Sequence, residues 1–196
     1  MTPMLKAWYE QVLVNIPLEG EILEIGSGNG RDAKYIMSQG YDIECTDAAQ
    51  DFVAHLLKNG FKARPLNAIL DPIRGKYDLI IANSVLQHFA KEETTLVLSK
   101  VFAALKIKGR FAFSLKLGSG DRWCTDAFGV PRYICYWEKK ELTALLKQTG
   151  FSDITMEEDS SGDRGKEVWL QIIAHKMKKP QPPVKSAKPK LSLCRD

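Results

Sequence analysis

The stretch Glu21-Ile-Leu-Glu-Ile-Gly-Ser-Gly-Asn-Gly-Arg31 decides the fold expected of this 196-residue chain. Its apolar half, residues 22–25, predicts a buried strand, and alternating glycines follow it. An apolar pattern of helical period comes next and stops at Gly40. A strand that enters a glycine turn and then a helix forms a cradle for a small ligand. Glycine lets the backbone approach the ligand closely, and the new helix offers free N–H groups and a positive dipole end.

The spacing of the glycines distinguishes between ligands. A dinucleotide fingerprint, G-x-G-x-x-G from Gly26, would require a third glycine at position 31, which is Arg31. The chain instead has G-x-G-x-G after Glu24, which resembles motif I of the class I S-adenosylmethionine (AdoMet) methyltransferases. In that family the turn surrounds the methionine end of AdoMet, whose carboxylate suits a helix N-terminus. The resemblance implies AdoMet as cofactor, with contacts at Glu24, Gly26, Ser27, Gly28 and Gly30.

Three further strand ends complete the cofactor site that the resemblance implies. Asp47 ends an alternating stretch, 21 residues after Gly26, where a carboxylate can accept hydrogen bonds from ribose hydroxyls; Ala48 follows it. The alternative is that Asp47 only caps a strand end or a helix. Asn67 and Ala68 follow the third strand, where many family members carry an Asp that meets the adenine amino group, and the Asn67 side-chain oxygen can accept the same bond. Asn83 ends the apolar run that begins at Tyr77.

The acceptor side of the site is expected from residue 83 onward. The segment Asn83–Phe89 resembles motif IV of small-molecule methyltransferases, and it makes His88 a candidate general base, a substrate contact or a structural residue. The connection 117–137 is long and is predicted to form a lid. Tyr133 is placed with His88 as catalytic, and the substrate-binding candidates are Arg122, Tyr136 and Trp137. The alternative is that Tyr133 and Trp137 pack as core under the helix that begins near Glu138.

Composition sets the organisation of the chain. Residues 176–196 hold seven Lys or Arg and one acid, a net charge of +6, whereas the preceding residues hold 21 basic and 23 acidic groups, a net −2. We therefore divide the chain into a folded domain at 1–176 and a basic, proline-rich tail at 177–196 that is predicted to be disordered and could contact nucleic acid. The four cysteines show neither metal-ligand nor C-x-x-C spacing, which favours reduced thiols in the cytoplasm and no metal site. No apolar run reaches membrane-spanning length, and the oligomeric state is left open.

The predicted fold is α/β: a Rossmann-like three-layer sandwich with a seven-stranded, mostly parallel sheet and an antiparallel terminal hairpin. Its strands are expected at 21–26, 41–47, 61–66, 77–83, 110–116, 151–156 and 166–175. The resemblance implies methyl transfer from AdoMet to an acceptor, with a small molecule favoured and a thiol or chalcogen acceptor open. The alternatives are a transfer RNA-modifying methyltransferase and a non-catalytic binding protein with the same fold. Propylamine transfer is disfavoured by Arg122, Arg132 and the aromatic residues around them.

Overall fold

The computed structural model describes residues 1–125, 129–160 and 167–177. Within these ranges the helices are α1 (Pro3–Leu13), α2 (Arg31–Ser38), α3 (Gln50–Lys58), α4 (Lys91–Ala104) and α5 (Lys139–Thr149), with a 3-10 turn at Leu86–His88. The strands are β1 (Ile22–Ile25), β2 (Glu44–Asp47), β3 (Ala63–Pro65), β4 (Tyr77–Ala82), β5 (Leu105–Leu117), β6 (Asp121–Thr125), β7 (Pro131–Trp137), β8 (Ser152–Asp159) and β9 (Trp169–His175). The tail predicted to be disordered lies outside the described residues, except for Met177.

The sheet is mostly parallel. The order β3-β2-β1-β4-β5 is parallel throughout, and β9 then pairs antiparallel with β5 and carries β8 on its other edge. The predicted α/β fold, with helices on both faces and an antiparallel terminal hairpin, is confirmed. Each of the seven predicted strands has a counterpart in the structure, and α4 ends at Ala104, directly before β5.

Among the described residues the sheet has nine strands, two more than the seven predicted. The pairing of β4 with β5 ends at Ala82 and Phe113, and β7 then pairs with Lys116 and Leu117 of β5. Because β9 pairs with the other edge of β5 up to Lys116, β7 continues on the edge that β4 has left. β6 folds back on β7 as an antiparallel hairpin. The segment predicted to be a lid loop is therefore largely a hairpin that extends the sheet beyond the end of β4.

Alternation along the strands divides the core between the two faces of the sheet. On one face, Ile22 of β1 and Ala112 of β5 pack with α1, α2 and α3. On the other, Leu23 of β1 and the stacked rings of Phe111 and Phe113 pack with α4 and α5. This alternation decides which polar side chains at the carboxyl ends of the strands share a cleft.

Helix α1 is held firmly on the first face. The Thr2 hydroxyl oxygen accepts a hydrogen bond from Leu5 N at 3.2 Å and caps the helix, and Pro3 occupies its first turn. At the other end, Arg110 of β5 donates to the Val12 carbonyl at 3.2 Å. Among the described residues, no helix combines the length and the apolar composition that crossing a bilayer requires.

Candidate active site

The glycine loop after β1 has one open glycine between two packed ones. Gly26, Gly28 and Gly30 have φ of +71°, +53° and +81°, a region that favours glycine. A Cβ on Gly26 would lie 2.5 Å from the Val85 side chain, and one on Gly30 would lie 2.9 Å from Leu56. A Cβ on Gly28 would meet no heavy atom within 4 Å. Gly26 and Gly30 thus allow close packing, whereas Gly28 presents bare backbone to an open space.

Asp47 joins the end of β2 to this loop. Its Oδ2 accepts a hydrogen bond from Gly28 N and its Oδ1 accepts one from Ala49 N, both at 2.9 Å. Ser27 strengthens the connection, because its N–H donates to the Thr46 carbonyl at 2.9 Å. Asp47 therefore fixes the turn that leads into α3 and also orders the glycine loop. Each carboxylate oxygen retains capacity for a further hydrogen bond from a ligand.

A buried acid lies next to the loop, under α1 and α2. Glu24 is 2% exposed, and its Oε2 has no hydrogen-bond partner among the described residues. Burial, followed by the negative charge of Asp32, raises the pKa of Glu24 to about 8. Asp32, in the first turn of α2, forms a two-point ion pair with Arg31 at 2.7 and 2.9 Å. Two acids facing an open glycine loop favour a ligand that carries positive charge.

A chain of polar contacts crosses from α2 to β5 over the end of β4. Asn83 Nδ2 donates to Asp32 Oδ2 at 2.8 Å, and the Ser114 hydroxyl donates to Asn83 Oδ1 at 2.6 Å. Ser84 N in turn donates to Ser114 Oγ at 2.9 Å. Because each end of the Asn83 amide has a partner of defined polarity, its orientation is set. Sequence reasoning identified Asn83 but missed Asp32 and Ser114, which depend on helix and strand neighbours far away in the chain.

The loop after β3 has a compact structure of its own. Asn67 Oδ1 accepts hydrogen bonds from Ile69 N at 3.0 Å and Leu70 N at 3.1 Å. Its two lone-pair directions are thereby used, so the expected role of this oxygen as acceptor for an adenine amino group conflicts with the structure. The side-chain amide Nδ2 is the polar group that remains. Lys100 of α4 holds the loop from outside by donating to the carbonyls of Ala68, Ile69 and Asp71 at 3.2, 2.6 and 3.0 Å.

A cleft of about 190 Å³ opens beside the Asn83 contacts, on the face covered by α1 and α2. Thr2 and Leu5 of α1 line one side of it, and Asn83 and Ser114 lie at the strand ends. Its far wall is formed by β8 and β9, with Asp159, Trp169 and Gln171. Gln171 donates to Asp159 Oδ2 at 3.1 Å. A second ligand placed here would lie next to whatever binds the glycine loop.

The acceptor residues predicted on β7 do not share one pocket. Trp137 is 1% exposed and packs in the core with Leu142 and Leu146 of α5, so its assignment to substrate binding is wrong. Tyr133 packs toward the same core, with its ring 5.7 Å from that of Trp123. Tyr136 directly precedes Trp137 on β7. Because successive residues of a strand point to opposite faces, the Tyr136 side chain lies on the face opposite to this core. Arg122 of β6 lies over the Tyr136 ring, with 5.6 Å between the guanidinium carbon and the ring centroid.

His88 connects the 3-10 turn to β7. Its Nδ1 lies 2.9 Å from the Tyr133 carbonyl oxygen, so Nδ1 carries the proton and donates it. Its Nε2 lies 3.2 Å from Gln87 Nε2 and is the acceptor of that contact. Burial lowers the pKa of His88, which keeps the ring neutral at pH 7. His88 and Tyr133, the two residues predicted to be catalytic, are thus connected through the Tyr133 backbone carbonyl.

Comparisons with known proteins place this geometry in a family. An AdoMet-dependent methyltransferase from Methanosarcina mazei is similar with a TM-score of 0.72 and 18% identity, over 90% of this chain and 98% of that one. The 1,6-didemethyltoxoflavin N1-methyltransferase of Burkholderia thailandensis was solved with 1,6-didemethyltoxoflavin and S-adenosylhomocysteine. It has a TM-score of 0.70 and 19% identity, over 90% of this chain and 79% of that one. Phosphoethanolamine N-methyltransferase 2 of Haemonchus contortus has a TM-score of 0.71 and 14% identity, over 89% of this chain and 52% of that one.

At these identities the solved structures show a shared fold. The search of curated proteins found no match. The family model described as a methyltransferase domain matches residues 4–156, which is most of the chain. This protein therefore belongs to the methyltransferase domain family.

Proposed function

We propose that this methyltransferase transfers the methyl group of AdoMet to a small-molecule acceptor bound in the cleft beside Asn83. The observation that carries the proposal is the open Gly28 backbone next to the buried acids Glu24 and Asp32. AdoMet carries a sulfonium, an ammonium and a carboxylate, a net charge of +1. A site with buried carboxylates and a helix N-terminus suits both signs of that charge.

The chain offers a contact for each part of the cofactor. Gly26, Ser27, Gly28 and Gly30 form the cradle for the methionine end, with Glu24 and Asn83 beside it. Asp47 and Ala48 meet the ribose. For the adenine, we assign the Asn67 side-chain NH2 and the Ala68 backbone, since the Asn67 oxygen is used in its own turn. When bound, AdoMet supplies an electrophilic methyl group on a positively charged sulfur.

The protein contributes mainly alignment to such a transfer. A lone pair on the acceptor forms the new bond to the methyl carbon while the carbon–sulfur bond breaks, and its electron pair stays on sulfur as a thioether. Fixing the two reactants at reacting distance can lower the barrier by ~7–11 kcal/mol. Where the acceptor must lose a proton, neutral His88 is the candidate base: the Tyr133 carbonyl holds its ring in place, and its Nε2 would exchange the contact with Gln87 for the proton of the acceptor. Tyr133 then acts as a positioning residue through its backbone.

Binding and turnover test the proposal separately. Calorimetry should detect AdoMet and S-adenosylhomocysteine, whereas NAD, the control ligand, should not bind because the dinucleotide spacing is absent. Radiolabelled AdoMet should then transfer its methyl group to a component of a small-molecule pool. Failure of both AdoMet and S-adenosylhomocysteine to bind at millimolar concentration would contradict the assignment of the cofactor.

The same experiment distinguishes the alternatives. Transfer of label to RNA and not to small molecules would favour a transfer RNA-modifying enzyme assisted by the basic tail. Binding without transfer to either pool would favour a non-catalytic AdoMet-binding protein. A cytoplasmic location remains part of this proposal; it rests on the reduced state inferred for the cysteines, and Cys45, Cys124 and Cys135 are free thiols in the described part of the chain.

A further inference from the structure

A row of three side chains crosses the sheet where β5 reaches its carboxyl end. Lys116 of β5 is in register with Trp169 of β9 on one edge and with Tyr136 of β7 on the other. Residues in register on neighbouring strands project to the same face. Ser114, two positions before Lys116, lies on this face and lines the cleft, as does Trp169. The row therefore borders the proposed acceptor cleft.

Two donors from this row and one from β6 converge on one carboxylate. Lys116 Nζ donates to Glu167 Oε2, while Arg122 Nη2 and the Tyr136 hydroxyl donate to Oε1 at 3.1 and 2.9 Å. The Lys116 side chain is only 13% exposed, and its Nζ lies 5.4 Å from the centroid of the Trp169 ring. The hydrogen bond from Lys116 outweighs partial burial and lowers the pKa of Glu167. Two cations and a phenol thus surround a single negative group.

This arrangement has the chemistry of an anion site. Lysine and arginine donors to a carboxylate form hydrogen bonds about twice as strong as neutral ones, and Arg122 offers a planar fork to carboxylate or phosphate. The cluster carries two positive charges against the one negative charge of Glu167. Glu167 itself is 31% exposed and lies two residues before β9, so its side chain can move outward without disturbing the strand.

We propose that the acceptor is a planar molecule with a carboxylate or phosphate group, which binds Lys116 and Arg122 in competition with Glu167. The acceptor's ring lies against Trp169, and its nucleophile enters the cleft next to Asn83 and Ser114. The proposal rests on the proposed function, because it names the acceptor class for the same site. Of the charged side chains that line the cleft itself, Arg31 is paired with Asp32 and Asp159 accepts from Gln171. Lys116 and Arg122, at the border of the cleft, are the cations that an anionic group would meet there. An anionic acceptor is therefore drawn toward the cations and then faces a positively charged sulfur.

Binding of simple probes tests this inference without knowledge of the natural acceptor. The full chain is first loaded with S-adenosylhomocysteine, and 4-hydroxybenzoate, its methyl ester and phenyl phosphate are then titrated by calorimetry. The acid or the phosphate should bind at least tenfold more tightly than the uncharged ester. The stronger of the two identifies carboxylate or phosphate as the group recognised.

Two variants and a matched control separate the site from the fold. Lys116→Met should weaken binding of the anionic probe at least tenfold, whereas Glu167→Gln should strengthen it several-fold, because it removes the competing charge. Lys91→Met, which breaks the exposed ion pair with Glu141, should leave the affinity for the anionic probe unchanged. A gain of affinity in Glu167→Gln cannot come from misfolding.

The outcomes distinguish this inference from the proposed function. Equal binding of acid and ester, no binding of either anion at millimolar concentration, or unchanged affinity in Glu167→Gln overturns the anion site. If S-adenosylhomocysteine itself does not bind, the proposed function is contradicted. The anionic probes are then titrated into the protein without S-adenosylhomocysteine. Anion preference in that case would still support a basic binding site on this face.

Discussion

Replacement of Glu24 by glutamine should flatten the dependence of stability on pH. Glu24 is buried, has an unpartnered carboxylate oxygen and faces the charge of Asp32, and its pKa is about 8 against 4.5 for an ordinary glutamate. Between these two values the folded chain keeps a proton on Glu24 that the unfolded chain has lost. Because the folded state binds more protons, its stability falls as pH rises through this window, by at most ~1.4 kcal/mol per pH unit.

The expected size follows from the two pKa values. From pH 6 to pH 8 the loss should be on the order of 2 kcal/mol, since the slope declines as the folded pKa is approached. Glu24→Gln has nearly the same shape and no titration, so this loss should be absent from the variant. Urea unfolding at pH 6, 7 and 8 gives the free energy of unfolding for both proteins. Parallel curves for wild type and variant would refute the buried, protonated acid.

Glu44 provides the matched control. Burial acts to raise its pKa, but hydrogen bonds from Arg64 and Tyr77 outweigh burial, and the net pKa is lowered. Glu44 is therefore ionised in both states above pH 6, and its contribution is lost only as pH falls through its folded pKa. Glu44→Gln should reduce stability by a constant amount from pH 6 to 8, with the wild-type slope retained.

The same pKa predicts proton release on cofactor binding. At pH 7 a group with a pKa of about 8 is about nine-tenths protonated, and a cation placed beside it favours the charged form. AdoMet binding should therefore release up to about 0.9 protons at pH 7. Calorimetry in two buffers of different ionisation enthalpy measures this number directly. Glu24→Gln should release none of this amount.

Three further changes test the other assignments. Asp47→Ala removes hydrogen bonds to Gly28 and Ala49 and should lower both AdoMet affinity and the free energy of unfolding, by about 1.5–3 kcal/mol for each bond to the carboxylate that is lost. An affinity equal to wild type would leave Asp47 with a structural role alone. Trp137→Ala should cost ~3–5 kcal/mol in urea unfolding, as for other buried aromatic side chains, and a cost below about 1 kcal/mol would contradict its place in the core. His88→Gln should lower turnover at constant AdoMet affinity. A loss of turnover together with a loss of AdoMet affinity would show that His88 has a structural role.

Much of the cofactor half could be predicted from local patterns. The glycine spacing, Asp47 and Asn83 each follow a buried strand, and parallel strands bring their carboxyl ends to the same edge of a sheet. The hydrogen-bond partners of these side chains could not be predicted in the same way. Asn67 matched the expected position, but the use of its oxygen within its own turn depends on backbone geometry that composition does not report.

The acceptor half depends on pairing between distant segments. Residues 117–131 have the glycine and polar content of a loop, yet part of them forms β6 through contacts with β7. Once β7 is a strand, alternation sends Trp137 to the core and Tyr136 to the cleft face, although the two are adjacent in the chain. Lys116, Glu167 and Trp169 carry no local motif. They become neighbours because β9 pairs with β5, with Lys116 and Trp169 in register.

The Asn83 contacts make the two halves of the site one unit. Asn83 donates to Asp32, which is paired with Arg31 at the start of α2, and accepts from Ser114 on β5. Asp32→Ala would remove the acceptor of the Asn83 amide, so the amide that accepts from the Ser114 hydroxyl would no longer be held from α2. Two hydrogen bonds thus connect the acid beside the glycine loop with the wall of the acceptor cleft. Binding of an anionic acceptor and binding of AdoMet should consequently strengthen each other, and by linkage the two effects must be equal in size.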